Sequence, residues 1–138
     1  MQDDFSQCMV TNSRMAARAI TRRYDVYLRP YGVTSTQLSL LGCIRAMRDH
    51  TVTEMAEARG FDRTTLTPNL DRLEAMGLIS SCPAKKGNGR ICEVTQKGES
   101  LVRELIPLWR QAQAEMKIAL SAEGFEQTLS VLKQLANV

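Results

Sequence analysis

Thr64, Thr65, Thr67 and Arg72 fall on one side of a helical stretch whose other side is a stripe of leucines, Leu66, Leu70 and Leu73. Hydroxyls both donate and accept hydrogen bonds, and a guanidinium offers a planar fork of donors. A face of this kind is suited to base edges and phosphates. A second cluster follows closely. Lys85-Lys86-Gly87-Asn88-Gly89 is basic and glycine-rich, and it lies between Leu78-Ile79 and the run from Arg90 to Val94. Two extended runs around such a tip read as a β-hairpin carrying cations.

The elements that must position these groups are marked by their ends. Gly60-Phe61-Asp62 is a tight turn. Gly60 can take the left-handed conformation that ends a helix, and Asp62 can accept from the free N–H groups of the next one. Thr53 is the expected cap of the helix before the turn, Val52 is expected to pair with the edge of the hairpin, and Gly77 closes the helix after it. Helix, turn, helix and basic hairpin make a winged helix, whose chemistry is contact with duplex DNA. Pro68 lies within the second helix, where it frees the Thr64 carbonyl and should kink the axis.

Composition sets limits around this motif. At 138 residues with a net charge of +3, the chain is one domain with helical extensions. From Arg59 to Lys97 there are seven Lys and Arg against four acids, so this segment alone carries the whole excess. The first residues resemble no export signal and no span is long enough for a membrane, so a cytoplasmic protein with reduced cysteines is expected. There is one histidine, His50, and no Cys-x-x-Cys spacing, so neither a metal site nor a cofactor is expected. No nucleophile–base pairing and no glycine-rich phosphate loop argues for an enzyme. Cys43 reads as a small packed residue. Cys82 and Cys92 are equidistant from Gly87 and could face each other across the hairpin, although cytosolic reduction disfavours a disulfide.

The flanks are helical. One helix runs from about Phe5 to Arg29 and stops at Pro30 and Gly32. Thr34, with Gln37 three residues on, opens another through a capping box; Leu38, Leu41, Ile44 and Met47 form its apolar face. After the hairpin, Thr95 caps a helix to about Leu120, with a seam of Val102, Leu105, Trp109, Ala112, Met116 and Ala119 and an expected bend at Pro107. Ser121 caps a last helix bearing Phe125, Leu129, Leu132 and Leu135. So small a core cannot cover all these seams, and the simplest partner is a second copy. The expected fold is mainly α with a small β-hairpin wing. Residues 33–98 form the winged helix-turn-helix, and residues 1–32 and 99–138 a helical dimerisation region.

The sequence resembles the MarR family of dimeric winged-helix transcription regulators. The likeness is carried by Leu28 to Thr34 leading into Gln37-Leu38, by Thr53 to Ala56, by Asp71 to Ile79, and by Val94 to Gly98. It implies a repressor that binds pseudo-palindromic double-stranded DNA as a homodimer, with recognition helices about 34 Å apart, and that is relieved by a small aromatic or anionic ligand. Carried over to this chain, Arg63, Thr64, Thr65, Thr67 and Arg72 face the major groove, and Lys85 and Lys86 lie on the wing. The family's wing has an Asp two residues before an Arg; here the pair is Asn88 and Arg90, and Arg90 is expected at the tip, reaching the minor groove or flanking phosphates. The implied ligand site draws on Arg14, Arg18, Tyr24, Tyr27, Met47 and Trp109, against the alternative that these aromatics are simply core or interface. Thr65-Leu66-Thr67-Pro68 also resembles a motif of the family's thiol-based peroxide sensors. Cys8 lies near their reactive position, although aligning the Gln37 regions places Val10 there and puts Ser35 and Leu38 on the sensors' tyrosine pair. A redox sensor using Cys8 is therefore one alternative. A winged-helix interaction module that binds no DNA is another, favoured by Asp71 on the outer helix face and by Pro68.

Overall fold

In the computed structural model, which describes residues 3–137, seven elements follow one another: α1 (Met9–Leu28), α2 (Ser35–Ala46), α3 (Val52–Arg59), α4 (Arg63–Ala75), β1 (Ile79–Pro83), β2 (Arg90–Val94) and α5 (Gln96–Leu135). Met1, Gln2 and Val138, the outermost residues of the expected terminal segments, lie outside that range. Short 3-10 turns at Phe5–Gln7 and Arg29–Tyr31 flank α1, and Gly32 closes the second in a left-handed conformation.

Caps explain most of the boundaries. Thr34 and Gln37 exchange bonds at the start of α2, with Thr34 N–H to Gln37 Oε1 at 3.0 Å and Gln37 N–H to Thr34 Oγ1 at 3.2 Å. The cap of α3 is Thr51, not Thr53: Glu54 lies three residues on and returns the bond to the Thr51 amide at 2.9 Å. Thr53 would have to pair with Ala56, which has no side chain to reply. Thr51, rather than Val52, also bridges to Ile91 of the wing. Gly60 ends α3 at φ +69°, and Asp62 accepts the Thr64 amide at 3.2 Å to begin α4.

Leu66, Leu70 and Leu73 are wholly buried on the inner face of α4, against Leu40 and Leu41 of α2 and Leu105 of α5. The hairpin packs onto this body from Ile79 at its base to the turn side of β2. Gly89 permits the approach, since a Cβ there would stand 2.6 Å from Thr51 Cγ2. Its register pairs Ile79 with Val94 and Ser81 with Cys92, so its centre falls between Lys86 and Gly87. Cys82 therefore sits opposite Ile91, one place out of step with Cys92. Cys92 points into the core while Cys82 is exposed, and the two do not face each other.

α5 passes through Pro107 with helical backbone. Its single non-helical residue is Ser121 (φ 63°, ψ 161°), whose Oγ accepts the Gly124 amide as a new cap. Ser121 thus opens the last helix as expected, while the backbone at Pro107 stays helical. Among the described residues, no helix is long and apolar enough to cross a membrane.

Candidate nucleic-acid interface

Burying the leucine stripe of α4 forces its other face outward. Arg63, Thr64, Thr65, Thr67 and Arg72 are all exposed there, but they are not equivalent. Thr64 is used locally: its Oγ1 donates to Asp62 Oδ2 at 2.8 Å and its amide donates to the same carboxylate. That hydroxyl, and secondarily the amide, holds the Asp62 pKa below its ordinary value. Arg63 folds back toward α3, with Nη2 3.3 Å from Thr53 Oγ1. Thr65, Thr67 and Arg72 have no side-chain hydrogen bond to other described residues. Of the three threonines only Thr64 turns its hydroxyl to a local partner, and that partner is a carboxylate rather than a backbone group. α4 continues through Pro68, and Asn69 beside it donates from Nδ2 to the Thr65 carbonyl at 2.8 Å while receiving Gln37 Nε2 at 3.4 Å.

Lys85 and Lys86 are exposed at the turn of the wing, which is closed by the Ala84 N–H on the Gly89 carbonyl at 2.7 Å. Arg90 departs from expectation. It is the first residue of β2, not part of the tip, and its guanidinium faces α4. It donates to Asp71 Oδ1, Glu74 Oε2 and Ser81 Oγ, each at 2.9 Å. Sequence places Asp71 on the outer face of α4 but pairs neither it nor Glu74 with Arg90; the spacing of three between the two acids is the one signal available.

A second feature is a groove of about 350 Å³ between α1, α2 and α5. Ile20, Thr21 and Tyr24 supply one wall, Ser35, Leu38, Ser39 and Gly42 another, and Ile106 and Trp109 the third. Of the six candidate ligand residues the groove takes Tyr24 and Trp109. Arg18 lines a separate shallow groove with Arg22 on the outer side of α1, and Arg14 is exposed without lining either. Tyr27 donates to Glu115 and Tyr24 to Gln113, both tying α1 to α5. Met47 caps α2 beside Cys43, with the two sulfurs 3.9 Å apart. Burial raises the Tyr24 pKa, and the Glu115 bond raises that of Tyr27, so both remain phenols at neutral pH.

Cys8 is half-buried at the N-cap of α1. The Thr11 amide, then its hydroxyl, then the Val10 amide hold its thiol below the ordinary value, although none closes to a full capping bond. Cys43 is the opposite case: burial pushes its thiol up, against the partial counter-effect of Arg59. No group of three or more His, Cys, Asp or Glu that could hold a metal ion occurs among the described residues.

Comparison with known proteins agrees with this geometry. The MarR family model matches residues 33–91. The transcriptional regulator MosR of M. tuberculosis, crystallised with DNA, is 33% identical over 95% of this chain and 97% of its own, with a TM-score of 0.81. A second crystal structure of M. tuberculosis MosR is 34% identical over 97% of this chain and 98% of its own, with a TM-score of 0.82. A C80S mutant of MarR from E. coli, complexed with operator DNA, shares the fold at 23% identity over 97% and 99%, with a TM-score of 0.83.

Proposed function

The chain belongs to the MarR family of transcriptional regulators, and on that premise we propose that it is a homodimeric repressor of pseudo-palindromic duplex DNA, relieved by a small molecule. The observation that carries the DNA-binding reading is the outward face of α4. Thr65, Thr67 and Arg72 are exposed there with no side-chain hydrogen bond to other described residues, beside a wing whose turn presents Lys85 and Lys86. The threonines and Arg72 are suited to base edges in the major groove, and the lysines to phosphates. Arg63 and Thr64 support the start of the helix and contact the backbone of the duplex.

Residues 33–98 act as the DNA-binding body, and residues 1–32 with 99–138 as the dimerisation region. Among the described residues, every exposed large apolar side chain falls in those two terminal segments, including Phe5, Met9, Met15, Ile118 and Leu132. A second copy covers them, sets two α4 helices about 34 Å apart and fixes the half-site spacing. The ligand site is the groove between α1, α2 and α5. Its lining contains no charged side chain, which favours an uncharged aromatic molecule stacked on Tyr24 and Trp109 over an anion. Such a ligand acts by binding more tightly to the spacing that does not fit DNA. The site of action is cytoplasmic, and the role is regulatory rather than enzymatic.

Salt titration of binding to mixed genomic duplex fragments tests the reading. Affinity should fall steeply with salt. Failure to bind at low salt would favour the interaction module without DNA contact. Light scattering at micromolar concentration should give a dimer, and a monomer would remove that part of the proposal.

The position of Cys8 favours a second reading, in which thiol oxidation releases DNA. Cumene hydroperoxide should then dissociate the wild-type complex and spare Cys8→Ser; release from both would exclude Cys8.

A further inference from the structure

Arg90 commits all three guanidinium nitrogens to the protein. Nε donates to Ser81 Oγ on β1, Nη1 to Asp71 Oδ1 and Nη2 to Glu74 Oε2, each at 2.9 Å. Asp71 and Glu74 are one turn apart on α4, so their carboxylates form one platform. A single side chain thereby joins the C-terminal half of α4 to both strands of the wing, at the turn side of their ladder. It is 28% exposed, whereas Asp71 is 63% and Glu74 43% exposed, so the acids and not the arginine are the outermost groups. Desolvation opposes the charge on Arg90, but the Asp71 bond and the two nearby carboxylates outweigh it. A guanidinium that turned to the duplex would leave two carboxylates unneutralised beside a polyanion.

We propose that Arg90 is a positioning residue and not a DNA contact: it fastens the wing to α4 and offsets the Asp71–Glu74 charge, so that Lys85 and Lys86 meet the duplex in fixed relation to Thr65, Thr67 and Arg72. The inference rests on the DNA-binding reading above. It differs from a contact role in what the neighbouring acids should do. A clamp needs them, whereas a contact is hindered by them. It also differs in what lysine can replace. An ammonium can meet a phosphate as a point charge, but it cannot span two carboxylates and a hydroxyl as the planar fork does.

The test measures DNA affinity by fluorescence anisotropy on duplex selected from genomic fragments, at several salt concentrations. The proteins are wild type, Arg90→Ala, Arg90→Lys, the double variant Asp71→Asn with Glu74→Gln, and the combination of that pair with Arg90→Ala. Thermal melting confirms that each is folded. Arg90→Ala should weaken binding at least about fivefold and Arg90→Lys nearly as much, whereas in the background of the double variant the same alanine change should cost less than about twofold. Wild-type affinity in Arg90→Lys would overturn the proposal. So would an undiminished loss in the neutral background with a salt slope lower by about one, which is the mark of a phosphate contact. A lower melting temperature with unchanged affinity would overturn it too, leaving Arg90 a purely structural residue. If wild type binds no duplex at low salt, the DNA reading and this inference fall together; if wild type binds but the effects simply add, this inference alone falls.

Discussion

From α2 to the first turns of α5 the large apolar side chains are covered. Leu40, Leu41, Leu66, Leu70, Leu73 and Leu105 have no exposed surface. In α1 and the far half of α5 the same residue types lie open, with Ile118 at 84% and Met9 at 66% exposure. Both regions are regular helix with apolar seams, so the difference is not one of local propensity. The winged-helix body closes its seams on itself because α2, α4, the wing and the start of α5 converge on one core. α1 and distal α5 meet along one side only, through pairs such as Tyr24–Gln113 and Tyr27–Glu115. The body thus holds its own shape, whereas the terminal helices are shaped for an additional surface.

The largest effect should come from the body. Leu70→Ala removes a fully buried side chain beneath the exposed face of α4 and should cost about 2–5 kcal/mol, read by urea denaturation. A loss well under that range would mean that the body is less self-sufficient than its burial implies. The converse is Ile118→Asp in α5. In an isolated chain a change at so exposed a site should be nearly silent. In the proposed dimer it places a carboxylate in the apolar seam and should raise the dimer dissociation constant at least about tenfold, roughly 1.4 kcal/mol, with helicity retained. Sedimentation across a concentration series decides it, and an unchanged dimer would remove Ile118 from the interface. Next in size is Thr51→Ala, which removes the cap of α3 and should lower stability by about 1 kcal/mol, while Thr53→Ala, lacking a reply from position 56, should cost far less.

The same division governs what could be read from the sequence. The leucine stripe, the Thr34–Gln37 box and the Gly60–Asp62 turn are local patterns whose partners lie within a few residues, and each forms as expected. Thr51 and Thr53 look alike as caps, and only Glu54, three residues after Thr51 and able to return the bond, separates them. Cys82 and Cys92 were misjudged because equal distance from Gly87 is not strand register, and the pairing centre lies half a residue away. Arg90 finds its acids 16 and 19 residues back along the chain, a separation at which no periodicity gives a cue. The groove was half legible: Tyr24 and Trp109 are conspicuous side chains, but Ser35, Ser39 and Gly42 are defined only by how α2 packs between α1 and α5.

The smallest effect concerns acid. Asp62 and Glu54 cap α4 and α3 of the body, and both have lowered pKa values. For Asp62 the cause is the Thr64 hydroxyl and amide; for Glu54 it is chiefly the Thr51 amide. A carboxylate whose folded pKa lies below its unfolded one stabilises the fold above the unfolded value, and that stabilisation is lost as pH falls through the folded value. Stability should therefore be flat in these groups from pH 7 to about 5, and α3 and α4 should loosen at their first turns below about pH 4. The start of α5 and its restart in the terminal segment respond differently, since Thr95 and Ser121 cap with hydroxyls that do not titrate there. Asp4, the acidic cap on that side, serves only a three-residue turn. Both carboxylates are exposed, so the effect is best read locally, by hydrogen exchange at the Thr64 and Thr51 amides, which donate to them. Protection there should fall on acidification while the Gly98 and Gly124 amides hold. Asp62→Asn, which caps without titrating, should abolish the change at Thr64 and leave that at Thr51. Uniform loss at all four amides would instead show body and terminal helices opening together as a single unit.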